Sequence, residues 1–234
     1  MNITCVTSRY IPNVPHLVRL LEVDRSIVLD LSLMPDRNKN SFVNRNRILT
    51  ANGDTWLTIP VHRQRGLPVC DIKICEEQSD WRQRHLSILR QAYPKLDSDG
   101  ERFLEIYRST SIESGSLVHV NMIILEHLFD CLSIKFPNIS LESSLTCTHP
   151  HFHRWHLSEI LNASTYVAGS VEFEVMRRKG REISRFHQSK ISIFEGRKVK
   201  QKELIHYSAI HWLLNRGSAW TREQIEALYK GDEF

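Results

Sequence analysis

Apolar positions in the first third of the chain come in short runs, not at helical spacing. Residues 3–7 (ITCVT) and 26–33 (SIVLDLSL) read as strands, the second too continuously apolar to be half exposed. Residues 57–61 (LTIPV) and 69–75 (VCDIKIC) read as a third and a fourth strand, and Asn52-Gly53 marks a turn between apolar flanks. Pro12 and Pro15 punctuate a loop ahead of a short helix over residues 16–22. From residue 81 the period changes. Trp81, His85, Leu86, Leu89 and Ala92 recur at helical spacing, with Ser79 or Asp80 as cap and Pro94 as stop. Further helices are expected over residues 101–107, 117–132, 152–163, 207–215 and 221–230. Gly217 ends one of them, and Thr221 with Gln224 is set as a capping box for the last. Residues 184–186 and 190–194 read as strands. The pattern predicts one mixed α/β domain over residues 1–234. Its N-terminal strands form the sheet core, its second half is mainly helical, and a short strand return falls near 184–194.

Composition narrows this only a little. At 234 residues, with 41% apolar and 25% charged positions, the chain has the material for a sizeable core and is not disordered. A net charge of +4 permits an anionic small-molecule ligand but is low for a nucleic-acid-coating protein. Five cysteines with no CxxC pair point to a reducing compartment. No apolar run approaches the ~20 residues of a membrane span, and no signal segment is read at the N-terminus, so a cytoplasmic protein is expected. The sequence names no cofactor and no oligomeric state.

Several side-chain groups could carry chemistry. In Asn44-Arg45-Asn46-Arg47 the guanidinium forks match carboxylate or phosphate, and the asparagines supply both donor and acceptor. In an extended segment the asparagines face one side and the arginines the other. The plainer reading is that the amides satisfy loop backbone while the arginines sit in water. Asp30 ends an apolar strand, where open α/β sheets place ligand crevices, or else it serves as a cap or as a partner for Arg9 or Arg45. Trp81 and His85, four apart on a helix, offer an aromatic face and a titratable ring, against the commoner reading of a core histidine. Tyr93 falls near the same face. The segment THPHFHRWH holds His149, His151, His153 and His156, weak metal candidates because no acid or cysteine stands at matching spacing. No metal site is therefore expected. The basic residues from Arg177 to Lys202 read as a solvated hairpin rim before they read as a polyanion surface.

Set in order along the chain, these pieces resemble the WbqC-like protein family, found among bacterial O-antigen and other polysaccharide biosynthesis functions. Tyr10-Ile11-Pro12 resembles its Tyr-Leu-Pro turn, Val28-Leu29-Asp30 its second strand, and Asn44-Arg45-Asn46-Arg47-Ile48 its Asn-Arg-Asn signature, followed by the strand Trp56 to Val61. Trp81 and His85 match a Trp-x-x-x-His helix, with Tyr93 after them. Leu117 and Asn121 fit the next helix, and Tyr166-x-x-Gly169-Ser170 resembles a Tyr-x-Ser-Gly turn. The segment from Ser208 to Gly217 resembles the closing helix. The chain departs from the pattern at Val6-Thr7-Ser8, where the family has His-Gln-Pro, and at His211, where it has aspartate. The resemblance implies a transfer reaction on an activated sugar, acyl or aminoacyl substrate. It adds Tyr10 to a candidate cleft of Asp30, Asn44, Arg45, Asn46, Trp81, Tyr93 and His85, with Asp30 orienting a hydroxyl or amine and His85 moving a proton. A non-catalytic binding or scaffolding protein is the alternative. A fainter echo of nucleotidyl-transfer folds lies in Pro12-x-x-x-His16, with a histidine at a helix start.

Overall fold

The computed structural model describes residues 1–34, 41–62, 66–75, 80–110, 115–145, 154–197 and 200–230. Its centre is a parallel sheet of five strands: β1 (Asn2–Val6), β2 (Arg25–Val28), β5 (Ile139–Leu141), β6 (Thr165–Ala168) and β7 (Ser192–Glu195), in the order β5-β2-β1-β6-β7. Cys5 pairs with Ile27, Ile3 with Tyr166, and Tyr166 with Ile193. Such a sheet is covered on both faces, which explains why its strands read as continuous apolar runs. Val6 and Val28 face one core with α1 (Val14–Leu21), while Ile3, Cys5, Ile27 and Leu29 face a second with α5 (Arg154–Ile160), α6 (Ser170–Lys179) and α7 (Arg181–Gln188).

The chain builds outward from β1 in both directions, so the strand order reverses between β1 and β6. In sheets of this kind the ends of two adjacent strands then diverge and leave a crevice at their carboxyl ends. The crossover from β2 to β5 carries the β3–β4 hairpin (Arg45–Thr50 and Gly53–Thr58) and helices α2 (Trp81–Ala92), α3 (Ser98–Ser109) and α4 (Leu117–Cys131). Asp80 caps α2 by accepting from the Gln83 N–H. After β7 come α8 (Lys202–His206), α9 (Ala209–Arg216) and α10 (Ser218–Lys230); α8 and α10 return to pack on α1.

The α/β architecture agrees with the expectation, but several elements differ. Residues 69–75 form a 3-10 turn (Val69–Asp71) and isolated bridges to Val61 and Ser116, because Asp71 and Lys73 break the apolar run. Residues 57–61 contribute only Leu57 and Thr58 to a strand, in the hairpin and not in the main sheet, since Pro60 offers no N–H. Residues 184–186 lie within α7, so the return to the sheet is made by β6 and β7. Thr221 sits inside α10, where its hydroxyl donates to the Gly217 carbonyl, and the helix starts earlier, at Ser218. Cys5, Cys70, Cys75 and Cys131 are free thiols.

Candidate functional site

The Asn-Arg-Asn segment becomes β3, and alternation holds. Asn44 and Asn46 are buried, while Arg45 and Arg47 lie over the Trp56 ring at 4.5 and 5.1 Å. The Asn44 amide donates to the Ile59 carbonyl and that of Asn46 to the Ile11 carbonyl. Tyr10 N–H donates to Phe42 O (2.9 Å), Ala209 N–H to Pro12 O (2.8 Å), and the Asn121 amide donates both to Ser8 Oγ and to the Val43 carbonyl. Apart from the Asn44–Ile59 and Asn121–Val43 bonds, these end on one object, the loop from Thr7 to Asn13 that leaves β1.

Most of the other candidates serve the same frame. The Thr58 N–H donates to His85 Nε2 (3.1 Å), so the ring proton is on Nδ1, facing the hydroxyls of Tyr10 (3.0 Å) and Tyr107 (2.8 Å). Burial, with Arg84 nearby, holds the His85 pKa at about 4, so the ring is neutral. Trp81 packs edge-on against His85. Tyr93 donates to Leu49 O and meets His211 Nδ1 at 2.7 Å. Asp30 accepts from both the N–H and the hydroxyl of Ser143, capping a 3-10 turn (Glu142–Ser144). Tyr10, Trp81, His85, Asn46 and Tyr93 thus share one buried frame. Arg45 lies at its surface, and Asp30 stands apart from it. Of the histidine cluster, His149, His151 and His153 lie outside the described residues, and His156 pairs with Glu159. Among the described residues no three His, Cys, Asp or Glu side chains gather as metal ligands.

The crevice expected between β1 and β6 is a cleft of about 800 Å³. Thr7 and Arg9 from the loop after β1, His16 and Arg19 from α1, Arg154 from α5, and Gly169 to Glu172 at the start of α6 line it. Arg197 and Lys200 complete a set of five formal cations against two carboxylates, Glu22 and Glu172. Glu172 is a hub. Its Oε2 accepts from Arg19 Nη2 (2.5 Å) and the Gly169 N–H (3.1 Å), its Oε1 from Tyr166 (2.7 Å), and Arg154 Nε stands 2.5 Å from Oε1. Arg19 also donates to Thr4 Oγ1 and to the carbonyls of Cys5 and Val167, riveting β1 to β6 below the cleft. Glu22, its pKa raised by burial, holds Arg197. Arg9 is different. It has one long hydrogen bond to Asn13 Oδ1 (3.5 Å), a cation–π contact with Phe42 at 5.6 Å, and no carboxylate partner among the described residues. Burial and neighbouring Arg19 lower its pKa to about 10. Burial and the same two arginines push His16 well below the usual histidine value. Burial raises the Cys5 thiol to about 12, so it is no nucleophile.

Gly169 is required by proximity, not by its dihedral angles: a Cβ there would overlap the Arg19 guanidinium. Gly169→Ala is expected to cost about 1–2 kcal/mol by displacing Arg19 from its bonds, measured as a lowered urea midpoint.

The sequence offered Arg9 as a partner for Asp30 and His16 as a helix-start histidine of the nucleotidyl-transfer kind, and Arg19, Arg154 and Glu172 were missed. A signal was present: glycine at 169 followed three residues later by glutamate, the spacing of a helix start. Of these basic residues, Arg177 and Arg178 lie on α6, Arg185 on α7 and Lys202 on α8, Arg197 and Lys200 follow β7, Lys198 lies outside the described residues, and none of the described ones is on a β-hairpin. Arg177 pairs with Glu174, and Arg197 reaches the cleft.

An open parallel sheet with helices on both faces and a cationic crevice at its switch point defines the class, an open α/β protein with its crevice at the carboxyl ends of the strands. Within that class the chain belongs to the WbqC-like protein family, which matches residues 8–194. No curated protein and no solved structure matches the chain. Among the described residues no helix is long and apolar enough to cross a membrane.

Proposed function

We propose that the protein is a group transferase acting on an activated sugar, acyl or aminoacyl substrate in polysaccharide or natural-product biosynthesis, and that the substrate's phosphate occupies the switch-point cleft. The observation that carries this is Arg9, a half-buried guanidinium beside a second arginine, with no carboxylate among the described residues to offset it. A phosphate would supply the missing charge and acceptor oxygens. His16, neutral and in the first turn of α1, is the proton acceptor within reach of the same cleft. A bound phosphate would offset the two arginines and bring its pKa back toward neutrality.

His16 also favours a second reading, nucleotidyl transfer, in which a histidine at the helix start meets a triphosphate. Thermal-shift measurements with UDP-glucose, ATP and acetyl-CoA, followed by assays of turnover and of pyrophosphate release, separate the readings. Stabilisation with turnover supports the transferase and pyrophosphate release from ATP the second reading, whereas stabilisation without turnover means an anion-binding scaffold. Arg9→Ala is expected to weaken binding of any such ligand by about tenfold or more while leaving the folded state intact. Unchanged affinity in that variant would remove the cleft from consideration.

A further inference from the structure

The cleft has two walls of unlike chemistry. One carries Arg9, His16 and Arg19. The other is α6, where Val171 and Val175 stand one turn apart on the same side, while Ile205 lines the cleft from α8, which packs on α1. Val171 is 81% exposed, and Val175 and Ile205 are 45% exposed each. These side chains belong to neither core; they are branched aliphatics left in water at the mouth of a cationic crevice. Behind them Met176 and Leu29, nearly fully buried, continue the apolar lining inward.

Sugar recognition calls for aromatic faces and many hydrogen-bonding groups. Among the described residues lining the cleft there is no Phe, Tyr or Trp, and the Asn13 amide is engaged by the Ile205 carbonyl at 2.7 Å. A pyranose placed against Val171 and Val175 would lose hydration at the hydroxyls that face the valines, and the only neutral hydroxyls in the described lining are those of Thr7 and Ser170. An aliphatic chain there would instead remove its own and the valines' apolar surface from water.

We infer that the activated substrate is amphipathic: a phosphate-bearing donor whose transferable group is an aliphatic acyl or apolar aminoacyl chain, not a sugar. This rests on the phosphate reading of the cleft. In the transfer the bond from the acyl carbon to the phosphate-bearing leaving group breaks, and the leaving group departs with the electron pair. A bond from that carbon to an acceptor amine or hydroxyl forms, and the acceptor's proton passes to the neutral imidazole of His16. No oxidant or reductant enters.

Calorimetric titration with inorganic phosphate, n-hexyl phosphate and glucose 1-phosphate tests the assignment. Each buried methylene is worth about fourfold in affinity, so hexyl phosphate is expected to bind at least about thirtyfold more tightly than inorganic phosphate. Glucose 1-phosphate is expected to gain nothing over inorganic phosphate. Val171→Asn, at a solvated position, is expected to keep its circular dichroism spectrum and to lose about tenfold of the hexyl advantage. Equal binding of hexyl and inorganic phosphate, or tightest binding of glucose 1-phosphate, overturns the acyl assignment and leaves the phosphate cleft standing. Binding of none of the three overturns the cleft reading and this inference with it.

Discussion

Between about pH 7 and pH 4.5 the protein is expected to lose about 5 kcal/mol of stability, most of a typical domain's margin. The main cause is two buried neutral histidines, and His16, whose pKa is also lowered, acts in the same direction. His85 and His211 are 4% and 3% exposed, and burial, with Arg84 beside the first and Arg216 beside the second, holds each near a pKa of about 4 against an ordinary 6.5. In the unfolded chain both rings take up a proton as pH falls through 6.5; in the folded protein neither does until about 4. The unfolded state therefore binds more protons throughout that window, and stability falls as pH falls. Each histidine contributes about 2–3 kcal/mol of the loss by pH 4.5. Glu22 and Glu142, whose carboxyls burial raises, oppose the trend toward its acid end. Urea titrations at the two pH values measure the difference, and His211→Gln should remove about one proton from the slope. A flat profile from neutrality to pH 4.5 would show that these rings ionise within the fold.

Glu172→Gln is expected to do two opposite things. Its carboxylate lies between Arg19 and Arg154, with side chains 16%, 18% and 35% exposed, so neutralising it removes a largely desolvated countercharge from two guanidiniums. Breaking such an arrangement from one side costs about 3 kcal/mol. The same change leaves the cleft more positive, and inorganic phosphate should bind about tenfold more tightly, the effect of one unit charge a few ångströms away at moderate screening. A lower urea midpoint in buffer that recovers with added phosphate is the combined signature. If stability falls and phosphate affinity falls too, Glu172 positions the arginines for the ligand and does more than neutralise them.

The parallel sheet's first two strands were legible because burial on both faces makes them apolar without alternation. The helices α2 and α4 were legible from their spacing. β5 and β6 were missed, since Ile139-Ser140-Leu141 and Thr165-Tyr166-Val167-Ala168 are three and four residues long and carry little periodicity. Asn44 and Asn46 stood out because they alternate with Arg45 and Arg47 just ahead of an apolar strand and resemble the family's Asn-Arg-Asn signature. Their partners are carbonyls of distant segments, which sequence does not show. The cleft was hardest to see. Arg19 sits in an otherwise apolar helix and looks like its solvated edge, and only the return of β6 beside β1 places Glu172 against it.

That return has a kinetic side. β1 can pair with β2 as soon as α1 forms, but its other flank waits for Tyr166, and β2's outer edge waits for Ile139 across a hairpin and three helices. Long-range parallel pairings of this kind close large loops before any contact offsets the entropy, so the sheet assembles late and slowly. Until then β1 is a short apolar strand with an open edge, the part of the chain most apt to pair with a neighbour during expression. Slower synthesis or lower temperature should therefore raise the soluble yield more than any change to the surface.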